Sequence, residues 1–304
     1  MEKINLLNDV AFKILLGQKG RERALGFFIN AFLFNKGEEP VKDIEILNEV
    51  QLTRENVRDK LGILDVRARS LDGQRVINIE IQLKDSDNMF NRSTFYGSKL
   101  LTEQTVIQRG DNYEDMARVL TINLLGYREP TFLGEHFHRR YALVDLETGK
   151  DIRDNVLMHF IELPKFRKLR KFDLDNPLHQ WLLYIDEKTD DTLKSEVIHM
   201  NEGIRLTAEA TAKMEASPEE MELYRLREKY ERDTRSSQIY FHRKGRQEGL
   251  VEGREEGRKK GHEETLAFVV KNMMKSGFSF EEAITLSGAT PEQQLQLQYL
   301  SNSE

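Results

Sequence analysis

The stretch Leu61 to Leu83, LGILDVRARSLDGQRVINIEIQL, reads as two β-strands joined by a tight turn. Asp72-Gly73 at its centre is a strong hairpin signal, because both residues tolerate positive φ. A two-residue turn on that pair sets residues whose numbers sum to 145 opposite one another. Asp65 then faces Glu80, Ile63 faces Gln82 and Arg67 faces Asn78. Side chains alternate along a strand. Ile77, Ile79, Ile81 and Leu83 point one way, and Asn78, Glu80 and Gln82 point the other.

Asp65 and Glu80 therefore share a face with Gln82. Directly opposed like charges destabilise a ladder. A divalent cation with oxygen ligands is the natural compensation. The plainer reading is a half-exposed strand whose acids face water. No Lys or Thr stands opposite the acids, which weakens that reading.

Working outward, the chain has 304 residues, enough for one large domain or two modest ones. Lys and Arg number 46 against 52 Asp and Glu, a net charge of -6, so any nucleic-acid surface must be a local patch. The absence of cysteine excludes disulfides, zinc-thiolate sites and a Cys nucleophile, and it fits a reducing cytoplasm. No apolar run reaches ~18 residues, so no membrane span is expected. MEKINLLNDV does not read as a signal peptide.

Upstream, Asn8-Asp9 opens a helix that Gly17 stops, with Asp9 read first as an N-cap. A second helix runs from about Arg21 to Phe34. Val41 to Leu52 alternates weakly and reads as a strand. Downstream, a helix is expected from about Met89 to Gln108, with Phe95, Leu100 and Leu101 in its buried stripe. Arg92, Tyr96 and Gln104 recur at four and eight residues and form a second stripe. Val119 to Leu125, VLTINLL, reads as a strand buried on both faces. A hairpin, a helix and a buried strand give an α/β fold with a mixed central sheet flanked by helices.

Tyr141 to Leu146 and Met158 to Leu163 read as further strands, and His136 and His138 as loop residues. Lys165 to Phe172, KFRKLRKF, is either a phosphate-tracking run or a solvated helix end. Trp181 reads as a core anchor. The composition shifts near Ser217-Pro218. Glycines then recur at 245, 249, 253, 257 and 261. The repeat reads as a linker or as a self-association helix. The last residues form short helices with two capping boxes, Ser279 to Glu282 and Thr290 to Gln293. They suit a small DNA-binding module or a packing and dimerisation element. Expected domains are 1–215, a charged helix and Gly-repeat linker at 216–264, and a small helical segment at 265–304.

No P-loop, H-E-x-x-H, Cys/His cluster or G-x-S-x-G is present. What remains is Asp65 followed by Glu80-Ile81-Gln82. With NDVAFKILLG at Asn8 to Gly17, DKLGILDVRA at Asp59 to Ala68, INIEIQL at Ile77 to Leu83, RSTFYGSKLLTEQ at Arg92 to Gln104 and GDNYEDMARVLTINLL at Gly110 to Leu125, the sequence resembles the PD-(D/E)xK nuclease superfamily. Within it, the resemblance is to the Rpn family of recombination-promoting nucleases.

That resemblance implies a restriction-endonuclease-like core with an α-helical C-terminal tail. It implies a Mg2+-dependent DNA endonuclease, using Mg2+ or another divalent cation. Asp65 and Glu80 would be metal ligands, with the Ile81 carbonyl and water completing the shell. Gln82 takes the place usually held by Lys and can only orient the nucleophile. Asp9 resembles the acidic residue of the first helix, and Lys60 would touch phosphate. The implied partner is DNA, with self-association through the helical tail. The alternative is a catalytically inactive nuclease fold that binds DNA or assembles.

Overall fold

A computed structural model describes residues 4–47, 66–83, 89–104, 112–150, 155–291 and 293–295. Asp65, Lys60, the Val50 to Leu52 end of the expected first strand, and Thr105 to Gln108 fall outside the described residues. The chain forms two compact units, Met1–Tyr230 and Glu231–Glu304.

The first unit opens with helix α1, Asp9–Leu16. Asn8, not Asp9, is its N-cap; the Asn8 side chain accepts from the backbone N–H groups of Val10 and Ala11 at 3.0 and 3.2 Å. Asp9 is the first helical residue, and every later residue of α1 is buried, so this is a core helix rather than a surface one. Helix α2, Glu22–Phe34, buries Leu25, Phe28, Ile29 and Phe32 on one stripe. The described strand that follows, β1, is Ile44–Ile46.

The decisive hairpin is β2, Val66–Ser70, and β3, Arg75–Gln82. Its register pairs Val66 with Ile79, Arg67 with Asn78, Ala68 with Ile77 and Arg69 with Val76, as the Asp72-Gly73 turn predicts. Gly73 takes φ +71°, and the Asp72 carboxylate ties the corner by accepting from Ser70 Oγ at 2.5 Å and the Gln74 N–H at 2.9 Å. Helix α3, Met89–Thr102, follows. Next come β4, Arg118–Leu125, β5, His138–Tyr141, and β6, Val156–Glu162. Among the described residues the sheet has six strands in the order β1-β2-β3-β4-β6-β5. Its centre, β3-β4-β6, is parallel, and the flanking pairs are antiparallel.

Both faces of the sheet are covered. Ile77, Ile79, Leu120, Ile122, Leu124, Leu157 and Ile161 join the main core with α1, α2 and helix α5, Pro177–Ile185, where Trp181 is fully buried. On the opposite face lie two smaller apolar clusters. One holds Val76, Leu100 and Val119, the other Met89, Leu125, Met158 and Phe160. Helix α3 packs on this second face. Phe95 is not part of its buried stripe: it is 65% exposed, while Met89, Ser93, Gly97 and Leu100 are buried. The solvated-face reading of Glu80 fails for the same reason, because α3 covers the face that Glu80 occupies.

The fifth strand is His138–Tyr141 rather than Tyr141 to Leu146; Leu143, Val144 and Leu146 are exposed. His138 is therefore a buried strand residue and not a loop one. The basic run at 165–172 begins in the short helix α4, Leu163–Phe166. Lys165 is buried against Glu162 and donates to the Phe132 carbonyl at 2.9 Å. Arg167 is held bidentate by Asp186 at 2.6 and 2.7 Å. Only Lys168, Arg170 and Lys171 of that run face solvent, so it is mainly a structural segment.

Helices α6, Asp191–Met200, and α7, Glu202–Ala216, complete the helical layer before α8, Pro218–Lys275. Gly203 lets α7 approach closely: a Cβ there would lie 2.3 Å from Phe27 Cβ. Met221 and Tyr224 of α8 belong to the main core of the first unit. In the second unit the glycine repeat is helical, and a Cβ at any of its five positions would meet nothing within 4 Å. A short helix, α9, Phe280–Ser287, packs Ala283 and Ile284 on Leu266 and Val270, and its Ser279–Glu282 capping box is formed.

Candidate active site

The second face of the sheet carries a polar stripe between its two apolar clusters. The ladder sets Asn78 beside Thr121 and Glu80 beside Asn123, one row apart on β3 and β4. All four are buried, as is Ser93 on the covering helix. Buried polar groups require hydrogen-bond partners. Ser93 Oγ and Thr121 Oγ1 lie 2.9 Å apart, and Asn123 Nδ2 donates to Ser93 Oγ at 3.0 Å and to the His159 carbonyl at 3.0 Å. These bonds pin α3 to β4, and β4 to β6. Gly97 brings the helix close, since a Cβ there would already lie 3.2 Å from Val156 Cγ1.

Into this clamp projects Glu80, 2% exposed. An isolated buried carboxylate costs several kcal/mol. Arg92, one residue before Ser93 on α3, supplies a counter-charge: its Nη2 lies 2.5 Å from Glu80 Oε1. The guanidinium also sits over the Tyr96 ring, 5.6 Å from its centroid. The Arg92–Tyr96 stripe read from helical spacing thus meets the acidic face of the hairpin.

Gln82 lies two residues further along the same face and is half-buried. Its carbonyl accepts from the Gly126 N–H at 2.9 Å, and Ile81 between them packs partly into the main core. Gly126 must lack a side chain, because a Cβ would come within 2.7 Å of the Leu83 carbonyl oxygen.

Two residues of the second stripe and the first helix have other duties. Gln104 clamps Ala117: its Nε2 donates to the Ala117 carbonyl and its Oε1 accepts from the Ala117 N–H, both at 2.8 Å. That fastens the chain after α3 to the entry of β4. Asp9 accepts from Arg227 of α8, at 2.9 Å between Oδ1 and Nε, with a second contact from Nη2 to Oδ2. Its carboxylate is held by a guanidinium rather than directed at Glu80. Asp65 and Lys60 lie outside the described residues.

Two buried groups escaped the sequence reading. Lys13 is almost wholly buried within α1; the motif AFKILL hides it inside an apolar run. The other is a histidine pair on the α2 face. Asn176 Nδ2 donates to Asn35 Oδ1 at 2.7 Å, which turns the Asn35 amide nitrogen toward His138 Nδ1, also 2.7 Å away. His138 Nε2 then donates to His159 Nδ1 at 2.9 Å, and His159 Nε2 faces Glu38 at 3.5 Å. Each ring accepts at one nitrogen and is therefore neutral. Burial, reinforced by the neighbouring His159, Lys36 and Arg140, lowers the His138 pKa to about 2. Burial lowers His159 also, against the opposing pull of Glu38. The signal was two His residues of matching strand parity, hidden by the misplaced fifth strand.

Among the described residues no three His, Asp or Glu side chains gather to hold a metal ion. At the hairpin they provide the buried Glu80 carboxylate, with the Asn78 side-chain oxygen on the same face and without a hydrogen-bond partner. An all-oxygen donor set of this kind suits a hard cation such as Mg2+, which keeps several waters and takes one or two carboxylates.

No curated protein and no solved structure matches the chain. A family model described as PD-(D/E)XK nuclease family transposase matches residues 6–240. That span contains the hairpin, the polar stripe and the helix that covers it. The chain belongs to the PD-(D/E)XK nuclease family transposases.

Proposed function

We propose that the protein is a metal-dependent DNA endonuclease, hydrolysing phosphodiester bonds at the acidic face of the β2–β3 hairpin. The observation that carries this reading is Glu80: a carboxylate buried on a central strand, in a rigid polar stripe, within a nuclease family. The Asp72-Gly73 turn, read from the sequence, makes Asp65 the residue expected opposite it. Asp65, Glu80 and the Ile81 carbonyl would hold Mg2+ or another divalent cation. When bound, the cation stabilises negative charge on the phosphate and lowers the pKa of water.

The chain's own residues supply the rest. Glu80 is locked in place by the ladder and by Arg92. The Gln82 amide can accept a hydrogen bond from the attacking water and orient it, but it cannot take the proton. The water oxygen attacks phosphorus and the bond to the leaving oxygen breaks; bulk water takes the proton that the attacking water loses and returns one to the leaving oxygen. In this reading residues 1–215 form the nuclease domain and the remainder the helical tail, with DNA as partner and a link to recombination or transposition.

A second reading, an inactive nuclease fold that binds DNA or assembles, is favoured by one observation. Arg92 already neutralises Glu80. Plasmid incubated with the protein, with and without Mg2+, separates the two. The endonuclease reading expects Mg2+-dependent nicking that Asp65→Ala and Glu80→Ala each abolish. Equal cleavage by all three proteins sinks the assigned site. No cleavage by the wild type, together with DNA retention in a gel shift, establishes the second reading.

A further inference from the structure

Resting on the endonuclease reading, we infer that Arg92 binds the scissile phosphate, supplying from helix α3 the positive charge that Gln82 cannot supply from the strand. Two carboxylates and one phosphodiester bring three negative charges to the site. A divalent cation offsets two of them. Gln82 is neutral, so the third is left to another side chain.

Arg92 fits that task by position and by shape. Its Nη2 lies 2.5 Å from Glu80, which fixes the guanidinium at the carboxylate. The Arg92 side chain is 39% exposed while that of Glu80 is 3% exposed, so the charge reaches solvent where the carboxylate does not. A guanidinium has five N–H donors in a planar fork that matches a phosphate bidentately. Nη2 forms the ion pair with Glu80, Nε is buried, and the 39% of the side chain that is exposed is what a phosphate can meet. The Tyr96 ring beneath the guanidinium, 5.6 Å from Cζ to the centroid, adds a cation–π contact.

The platform is rigid as well. Ser93, the next residue, is bonded to Thr121 and Asn123, and Gly97 packs one turn later against Val156. Arg92 is therefore presented on an element that the polar stripe clamps to the sheet. A site built in this way loses little entropy when the phosphate arrives.

The test is the salt dependence of binding to a short DNA duplex, read by fluorescence anisotropy in EDTA, with cleavage in Mg2+ measured in parallel. Each phosphate contact contributes about 0.9 to the slope of log K against log salt. Arg92→Gln is expected to lower the slope by about 0.9 and to weaken binding several-fold at 0.1 M salt. Arg92→Lys should keep the slope. Because Arg92→Gln also removes a partner from buried Glu80, the double variant Glu80→Gln with Arg92→Gln is measured as well. A lowered slope in the double variant assigns the loss to the phosphate contact and not to the fold. Equal slopes in wild type and Arg92→Gln, or no binding by either, overturn the proposal. Cleavage by Glu80→Gln at the wild-type rate overturns the assigned site instead, and no cleavage by the wild type overturns the endonuclease reading, whatever the slopes.

Discussion

Glu80 is tolerated inside the protein because Arg92 stands beside it and because the neighbouring Asn123, Thr121 and Ser93 satisfy one another. The hairpin register made the acidic face of Glu80 legible in the sequence, since Asp72-Gly73 fixes pairing by backbone geometry alone. Its burial was not legible, because strand parity does not say what covers a face. The same limit applies to Gln104, whose helical spacing suggested a site although both its polar atoms serve Ala117. Gln104→Ala should cost about 1–3 kcal/mol, as a buried backbone N–H and C=O lose their partners. Urea unfolding measures it, and an unchanged midpoint would contradict the clamp.

His138 gives a pH dependence at the same scale. Unfolded, it would take up a proton near its ordinary 6.5; folded, it does so only near about 2. The stability this adds is complete above pH 6.5 and drains as the pH falls, by up to about 1.4 kcal/mol per pH unit. His159 is lowered too and adds in the same direction. Glu38 is held below its usual 4.5, so its contribution is lost only in more acid solution. Unfolding free energies between pH 6.5 and 5 should therefore fall by at most about 2 kcal/mol through His138, with His159 adding in the same direction. His138→Asn should flatten that fall; an equal fall in wild type and variant would contradict the neutral pair.

Elements were legible where apolar periodicity and caps agreed. Helices α1, α2 and α9 and strands β3 and β4 follow from stops such as Gly17, from the Ser279 capping box and from apolar runs. Strand β5 was displaced because its residues, His138-Arg139-Arg140-Tyr141, carry little apolar pattern, whereas the apolar residues after it are exposed. Ladder pairing to β6 and the His138–His159 bond outweigh propensity there.

The glycine repeat is the converse case. Five glycines disfavour an isolated helix, yet α8 runs through them with open space at every Cβ position. Gly249→Ala and Gly253→Ala should each raise helix stability by up to about 1 kcal/mol. Thermal melts followed by far-UV circular dichroism check this, and a loss of stability would mean that another helix packs on the stripe. At Gly203 the sign reverses: Gly203→Ala forces Phe27 away and should cost about 1–3 kcal/mol, seen as a lower melting temperature. An unchanged melting temperature would contradict the tight α7–α2 packing.

At the scale of the whole molecule, the mixed sheet covered on both faces follows from a hairpin, a helix and the buried run VLTINLL. The main core fills the first face and the polar stripe under α3 interrupts the second. Among the described residues no helix is long and apolar enough to cross a membrane. The second unit, Glu231–Glu304, has a small core of its own around Leu266, Val270 and Ile284.

The account turns on whether Glu80 stands at a cation site. Calorimetric titration of Mn2+ into the full chain tests this directly, with Glu80→Gln as the near-isosteric control. The account predicts one bound Mn2+ per wild-type chain that Mg2+ displaces and that Glu80→Gln, still folded, does not bind. The same Mn2+ affinity in both proteins would contradict it.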